Sequence, residues 1–322
     1  MTSLPMRLSA IGVIGKRRAR PVRRNATLAI GVGIIVALTA FALLGPVLSP
    51  YGTTQISDTP FAGSSTEHWL GTDNLGRDTF VRLAAATGYT LLISFTASVV
   101  AMAVGTALGV LAGYLGGWTD LVVMRGVEVF MSIPAILMAL VVRVIFGPGV
   151  LPLVVAMAIV AAPMFARIMR GPILLLKERD FVVAAEVGGV GRLGIAFQHL
   201  LPNALTPMLV QFANTASLAV LLEASLSYLG QGVQAPEPSA GRMISEFQRY
   251  MADQPQLVLI PAALVTILTV GWNLISDGLQ AGLSPRASQL QVPVRPRRPA
   301  SSTSSTLPTT PASHPSAKEH HQ

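Results

Sequence analysis

The chain has 322 residues, of which 51% are hydrophobic and only 12% are charged. A soluble domain carries roughly 25% charged residues, and a soluble protein this apolar would expose large patches that aggregate, so the composition excludes an ordinary soluble protein. The formal net charge of +8 does not indicate nucleic-acid binding, because the basic residues are spread between long apolar runs rather than clustered on one soluble face.

Six apolar stretches are long enough to cross a bilayer as helices. A spanning helix needs about 20 residues, and a helix satisfies all of its backbone hydrogen bonds within its own segment. The sequence therefore predicts an all-α polytopic membrane protein with about six transmembrane helices, at residues 26–48, 88–115, 121–146, 150–169, 206–230 and 257–279.

Lysine and arginine are distributed unevenly between the two sides of these spans. Most precede the first span, follow the last, or lie between the fourth and fifth; the other side has only Arg77, Arg82, Arg242 and Arg249. The positive-inside rule then places both termini in the cytoplasm. The predicted organisation begins with a basic cytoplasmic N-terminus (1–25), an uncleaved first span (26–48) and an extracytoplasmic segment (49–87). A five-helix core (88–286) with a cytoplasmic loop at 171–205 follows, and the chain ends in a disordered cytoplasmic tail (287–322).

Cofactor and catalytic signals are weak throughout the chain. There is no cysteine, and no lysine lies in the G-x-x-x-x-G-K-[ST] pattern of a phosphate-binding loop. The histidines are scattered, without a carboxylate at ligand spacing inside a span. We therefore predict that the chain binds no cofactor or metal and is not an enzyme.

A glycine-broken polar segment at 181–203 separates the fourth and fifth spans. Its first part favours a short helix, in which small residues would let another chain approach closely; glycines then break the pattern, because glycine accepts positive φ and disfavours helix interiors. Residues 192–201 resume a helical pattern, and Pro202 is expected to set the entry into the fifth span. The segment is either an ordinary connection or a contact surface for a soluble partner, formed by Val183, Ala184, Ala185, Glu186, Gly189 and Pro202.

A second motif, HWLGTDNLGRD at 68–78, precedes the second span. Thr72 or Asp73 is expected to cap the short helix that follows, and Arg77 and Asp78 are expected to pair or to hydrogen-bond locally. The motif is either a collar that seals the outer mouth or a rim that faces a partner. Its candidate residues are Gly71, Thr72, Asp73, Gly76, Arg77 and Asp78.

Small residues and buried charges complete the candidates within the spans. Small residues recur every four positions at Ala97, Ala101, Gly105, Gly109 and Gly113, which predicts close packing of another helix, with a substrate path lined by glycine as the alternative. Charges at membrane depth are functional candidates by default. Glu128 is expected to pair with Arg125, Arg143 to snorkel outwards, and Glu223 to be either a buried hydrogen-bonded group or a pathway residue.

These segments resemble the C-type permeases of ABC importers in the dipeptide/oligopeptide/nickel transport family, and the likeness extends over most of residues 67–286. Residues 181–203 resemble the family's "EAA" loop, residues 68–78 its H-x-L-G-T-D-x-x-G-R-D signature, and residues 222–230 its A-E-A-S-L-S-F-L-G segment. The loop departs from the pattern: Val183 replaces a glutamate, and Glu186 stands where a basic residue is common. We therefore expect docking by shape and apolar contact.

The resemblance implies a type I, MetI-like permease in the bacterial plasma (inner) membrane. It implies half of a translocation pathway for peptides, coupled through the loop to two ATP-binding-cassette subunits that hold ATP and Mg. Further implied partners are a second, B-type permease subunit, an extracytoplasmic substrate-binding protein and membrane lipid, with no nucleic acid. Arg143 could then meet a peptide carboxylate.

The alternative function is a secondary transporter driven by an ion gradient, which would be expected to show inverted repeats and ionisable groups near the bilayer midplane. The cargo stays open among dipeptides, longer peptides, nickel chelates and sugars.

Overall fold

The computed structural model describes residues 26–283. The predicted basic N-terminus and C-terminal tail lie outside the described residues. Within them the secondary structure is helical, with a π-helical turn at Ile195–Leu200 and a 3-10 turn at Gln248–Tyr250. The α-helices are α1 (Ala26–Leu48), α2 (Thr79–Leu115), α3 (Gly117–Ser132), α4 (Ala135–Phe146), α5 (Val150–Leu176), α6 (Asp180–Val187), α7 (Arg192–Gly194), α8 (Leu201–Tyr228), α9 (Ala240–Phe247) and α10 (Gln256–Leu283).

Five long helical segments are apolar enough to cross a membrane. They are α1, α2, α5, α10 and the continuous segment Ile195–Tyr228, which joins the π-helical turn to α8. The prediction of an all-α polytopic protein is confirmed. Two ends of the bundle are distinguished below: the rim end carries residues 49–78 and 229–255, and the loop end carries residues 177–191.

The third predicted span is not one continuous helix. Residues 121–146 are divided between α3 and α4, whose axes differ by 98°. Pro134 has no N–H to continue the helix, and its ring disfavours helical backbone at the preceding residue; Ile133 is accordingly extended, with φ −88° and ψ 129°. The apolar run alone concealed this break.

Several other predicted boundaries also shift. The second helix begins at Thr79 rather than 88, so the preceding loop covers 49–78 instead of 49–87. The fourth helix continues to Leu176, and the fifth begins on the π-helical turn at Ile195. About half of the predicted loop 171–205 therefore belongs to the ends of two long helices, and residues 177–194 connect them.

The core is centred on the parallel packing of α2 against α5. The predicted stripe of small residues faces α5: a Cβ at Gly105 would lie 2.3 Å from the Ala162 carbonyl oxygen, and one at Gly109 would lie 2.6 Å from that of Ala166. The stripe therefore serves helix packing within this chain. Helix α1 lies outside this pair, where it packs on α2 and α10.

Candidate functional site

Helix α6 presents an apolar surface at the loop end. Val182 is buried beneath it at 1% exposure, whereas Phe181, Val183 and Val187 are exposed, the last at 85%. Ala184 and Glu186 are also exposed and Ala185 is half-buried. An apolar face displayed on a short connecting helix favours contact with another protein.

Gly189 ends α6 in a Schellman motif. The Val190 N–H donates to the Ala185 carbonyl at 3.0 Å and the Gly189 N–H to the Glu186 carbonyl at 3.0 Å, while Gly189 has a φ of +81°. Glycine adopts this backbone without a steric penalty. The turn at Gly189 therefore has a local physical cause and fixes the direction in which the chain leaves α6.

Pro202 lies in the first turn of α8, as predicted for the entry into the fifth span, but the continuous helical segment already begins at Ile195. It follows the π-helical turn, in which the Leu201 N–H donates to the Ala196 carbonyl five residues earlier. A proline inside a helix removes one N–H and crowds the preceding turn, and a π-bulge widens the helix locally. The wider turn accommodates Pro202 without ending the helix.

The rim motif is held by its own side chains. Asp78 caps α2, as its Oδ1 accepts from the Val81 N–H at 2.9 Å and its Oδ2 lies 2.8 Å from His68 Nδ1. The prediction that Thr72 or Asp73 caps the following helix is wrong. Arg77 and Asp78 do not pair with each other, but each hydrogen-bonds locally, as the other predicted alternative had it. The Arg77 Nε donates instead to Asp73 Oδ2 at 2.7 Å, because the tight turn 73–77 brings those two side chains together.

The other motif residues fasten the loop 49–78. Thr72 Oγ1 donates to the Thr59 carbonyl at 2.6 Å and accepts from the Ala62 N–H at 2.8 Å. Gly71 and Gly76 have φ values of +74° and +75°, and a Cβ would lie 2.4 Å from the Ala62 carbonyl oxygen or 2.2 Å from that of Ser57, respectively. These positions accept only glycine, which gives the motif a structural reason.

A charge cluster connects the motif to α9. Arg77 and Arg82 approach Glu246 of α9 at 3.7 and 3.8 Å, and Arg82 Nε lies 3.6 Å from Asp73 Oδ2. Arg242 pairs with Glu246 at 2.8 Å. The rim motif and the second rim segment therefore form one charged assembly.

The three charged candidates within the spans differ in their surroundings. Glu128 forms the expected exposed pair with Arg125, at 2.8 Å. Glu223 is completely buried, and its carboxylate accepts from Thr90 at 3.0 Å, from Ser227 at 2.7 Å and from Ser239 at 3.0 Å. Because these donors come from α2, α8 and the rim end, Glu223 joins three parts of the bundle.

Arg143 does not snorkel. It is 3% exposed, and its guanidinium donates to four backbone carbonyls, those of Gly147, Gly149, Gln231 and Gly232, at 2.6 to 3.2 Å. It thereby ties the α4–α5 turn to the segment that follows α8. These donors are committed to the backbone, which disfavours the interpretation that Arg143 receives a substrate carboxylate.

Replacing Arg143 by Met is expected to destabilise the fold. The apolar stem is retained, but four carbonyls lose a donor, of which only that of Gly232 keeps another side-chain donor within residues 26–283, Gln234 Nε2. Each buried carbonyl left unsatisfied costs about 1–3 kcal/mol. Thermal unfolding in detergent measures the effect. Arg125→Met is the control, because Arg125 is exposed on α3 and an exposed ion pair contributes about 0–1 kcal/mol. Equal melting temperatures for the two variants would contradict the structural role of Arg143.

Sequence reasoning missed two features of this region. Arg170 of α5 forms a bidentate pair with Asp120 of α3, at 2.5 and 2.6 Å, between residues far apart in the chain.

The second feature is a cavity of about 370 Å³, the α8 cavity, which lies between α5, α8 and the α3–α4 break. Its uncharged polar residues on α8 stand inside an apolar run. It is lined by Met131, Ala135, Val160, Ala161, Met164, Gln211, Asn214, Thr215, Leu218, Ala219, Leu221, Leu222 and Ser225.

A bundle of membrane-spanning helices with a broken span, an open cavity and an exposed apolar connecting helix is typical of a membrane transport permease. The family of binding-protein-dependent transport system inner membrane components matches residues 105–289. The chain belongs to this family, which comprises permease subunits of ABC importers in the inner membrane.

Curated relatives are similar over most of the chain. It is 36% identical over 269 residues to the dipeptide transport system permease protein DppC of Alkalihalophilus pseudofirmus, covering 83% of this chain and 88% of the relative. It is 36% identical to the glutathione transport system permease protein GsiD of Pectobacterium atrosepticum, covering 83% and 89%. It is 35% identical to the oligopeptide transport system permease protein OppC of Bacillus subtilis, covering 82% and 87%.

A solved structure has the same fold. The inward-facing methionine ABC transporter MetNI includes a chain that aligns with a TM-score of 0.52 at 22% identity, covering 63% of this chain and 97% of that one. The MetI-like architecture predicted from the sequence is confirmed, as is membership of the ABC-importer permease class.

Proposed function

We propose that this chain forms half of the translocation pathway of a peptide importer. The similarity to three permeases named for dipeptide, glutathione and oligopeptide transport carries the proposal. These cargoes share the peptide bond, although they differ in length and side chains. A second, B-type permease subunit supplies the other half of the pathway.

Coupling to ATP runs through the loop end in this proposal. Helix α6 docks on a cytoplasmic ATP-binding-cassette subunit, with Val183, Val187 and the neighbouring alanines providing apolar contact. Two such subunits bind ATP and Mg, and their closure moves α6 together with α5 and the Ile195–Tyr228 helix. The chain breaks no bond itself; differential binding of ATP by the partners to the two states drives alternating access.

The rim end faces the extracytoplasmic binding protein in this proposal. The rim motif and α9 then receive the loaded binding protein at the outer mouth as one charged assembly, with Gly71, Thr72, Asp73, Gly76, Arg77 and Asp78 shaping the loop. The unequal distribution of basic residues supports this orientation and cytoplasmic termini.

Single cysteines test the orientation, since the chain has none of its own. Thr66 at the rim end and Gly191 at the loop end are both exposed. In spheroplasts, a membrane-impermeant maleimide is expected to label Thr66→Cys and leave Gly191→Cys unlabelled, while permeabilised membranes show both. Labelling of Gly191→Cys alone in sealed spheroplasts would reverse the proposed orientation.

The partner assignment is tested by purifying the tagged chain from its native membranes in mild detergent. We expect a second permease, a binding protein and P-loop ATPase subunits to co-elute. A monodisperse chain with no ATPase would instead indicate gradient-driven transport and contradict the proposed role of α6.

A further inference from the structure

The α8 cavity carries an unusual set of polar groups for its depth in the bundle. One stripe of α8 contributes Gln211, Asn214, Thr215, Leu218, Leu222 and Ser225, at spacings of three, four, seven, eleven and fourteen residues from the first. Asn214 stands near the middle of the Ile195–Tyr228 span. The cavity thus brings hydrogen-bonding groups to the depth where lipid offers none.

Asn214 has uncommitted hydrogen-bonding capacity. Its side chain is half-buried and forms no hydrogen bond with any residue in 26–283. The other polar side chains are partly engaged: the Gln211 Nε2 donates to Thr215 Oγ1 at 3.1 Å, and the Ser225 hydroxyl donates to the Leu221 carbonyl of its own helix. The Asn214 amide can therefore bond a polar group that enters the cavity, either water or cargo.

None of the described residues that line the cavity is ionisable. The buried carboxylate of α8, Glu223, is bonded to α2 and to the rim end instead. Met131 and Met164 stand on the walls at 38% and 39% exposure, and methionine side chains adapt readily to partners of different shape. The lining therefore distinguishes weakly between charged and neutral side chains.

We infer that Asn214, oriented beside Gln211, is a contact for the peptide backbone halfway through the membrane. A carboxamide has both donors and an acceptor, which matches the C=O and N–H that every peptide presents. Met131 of α3 and Ala135 of α4 flank the break at Pro134 and both line the cavity, so the broken span contributes to its wall. The inference rests on the proposed peptide import and adds where the cargo is held and by which group.

The test uses the complete importer, purified through a tag on this chain with its co-eluting partners and reconstituted in proteoliposomes. Uptake of radiolabelled Ala-Ala-Ala, Ala-Glu-Ala and Ala-Lys-Ala is measured for wild type, Asn214→Leu and Asn214→Asp. Each rate is divided by the wild-type rate for the same peptide, so that the preference of the unchanged binding protein cancels. Thr266→Val is the matched control, because the Thr266 hydroxyl donates to its own helix on α10, away from the cavity.

We expect Asn214→Leu to lower kcat/KM about five- to tenfold, by a similar factor for all three peptides, because one backbone hydrogen bond is lost. For Asn214→Asp we expect the normalised kcat/KM for Ala-Glu-Ala to be more than about tenfold lower than that for Ala-Lys-Ala, since the introduced negative charge acts at low dielectric. Thr266→Val is expected to stay within about twofold of wild type, and both Asn214 variants to co-elute with the same partners.

Three outcomes overturn the inference. Wild-type-like uptake by both Asn214 variants would show that the amide does not contact cargo. Loss of the co-eluting second permease from Asn214→Leu would assign the amide to the subunit interface. Absence of peptide uptake by the wild-type complex would instead overturn the proposed function, and this inference with it, before any variant is compared.

Discussion

Val187→Asp is expected to uncouple this permease from its ATPase partners while leaving the chain folded. Val187 is 85% exposed at the end of α6, so the substitution costs the isolated chain little. In a docked complex, an unpaired carboxylate would have to be desolvated against an apolar surface. We expect a loss of at least about 2 kcal/mol, or roughly 30-fold in affinity for the ATPase.

The measurements are co-elution of the ATPase and hydrolysis of ATP stimulated by the loaded binding protein. Val187→Leu is the matched control, because it keeps the apolar surface and should retain both. Unchanged stimulation in Val187→Asp would mean that α6 is an ordinary connection. Gly189→Asp is a second probe of the same surface: it adds a charge and strains the positive φ, so unchanged stimulation there would argue against α6 as well.

Gly105→Ala is expected to destabilise the bundle, whereas Gly126→Ala is expected to be neutral or stabilising. A single methyl group at Gly105 would lie 2.3 Å from the Ala162 carbonyl oxygen and 2.4 Å from Phe165 Cβ, so α2 and α5 must separate. Overpacking of this kind costs about 1–3 kcal/mol. At Gly126 of α3 nothing described lies within 4 Å, and alanine favours a helix interior by roughly 0.5–1 kcal/mol over glycine.

Thermal unfolding of the purified chain in detergent reports both variants. We expect the melting temperature to fall for Gly105→Ala and to stay unchanged or rise for Gly126→Ala. We also expect less Gly105→Ala protein to accumulate in membranes. Equal melting temperatures would show that the α2–α5 contact relaxes easily and that the small-residue stripe is not needed for close packing.

Local patterns in the sequence predicted the structural features that are determined within a single segment of the chain. The apolar runs predicted the helical class and five of the six spans as continuous helices, and the four-residue spacing from Ala97 to Gly113 predicted a close helix contact. The glycines after Val187 predicted the end of α6, because positive φ is a local requirement. Pro134 was a local signal for the break between α3 and α4. The uniform hydropathy of 121–146 nevertheless led to the prediction of one continuous span.

Features that depend on distant partners were not visible in the sequence. Arg143 binds carbonyls of residues 231 and 232, which the fold alone brings to it. Asp73 pairs with Arg77 and lies near Arg82 rather than capping α2, because the turn 73–77 redirects it. Asn214 passed unnoticed, since one amide barely changes the hydropathy of a long apolar run, and the fold is needed to show that no residue in 26–283 hydrogen-bonds to its side chain.

Peptide uptake by the reconstituted complex tests the central claim most directly. Proteoliposomes that contain this chain with its co-eluting partners, ATP and Mg are supplied with binding protein and radiolabelled tripeptide. We predict uptake that requires both ATP hydrolysis and the binding protein and that persists after an ionophore collapses all ion gradients. Uptake that is indifferent to ATP and abolished by the ionophore would contradict the importer account.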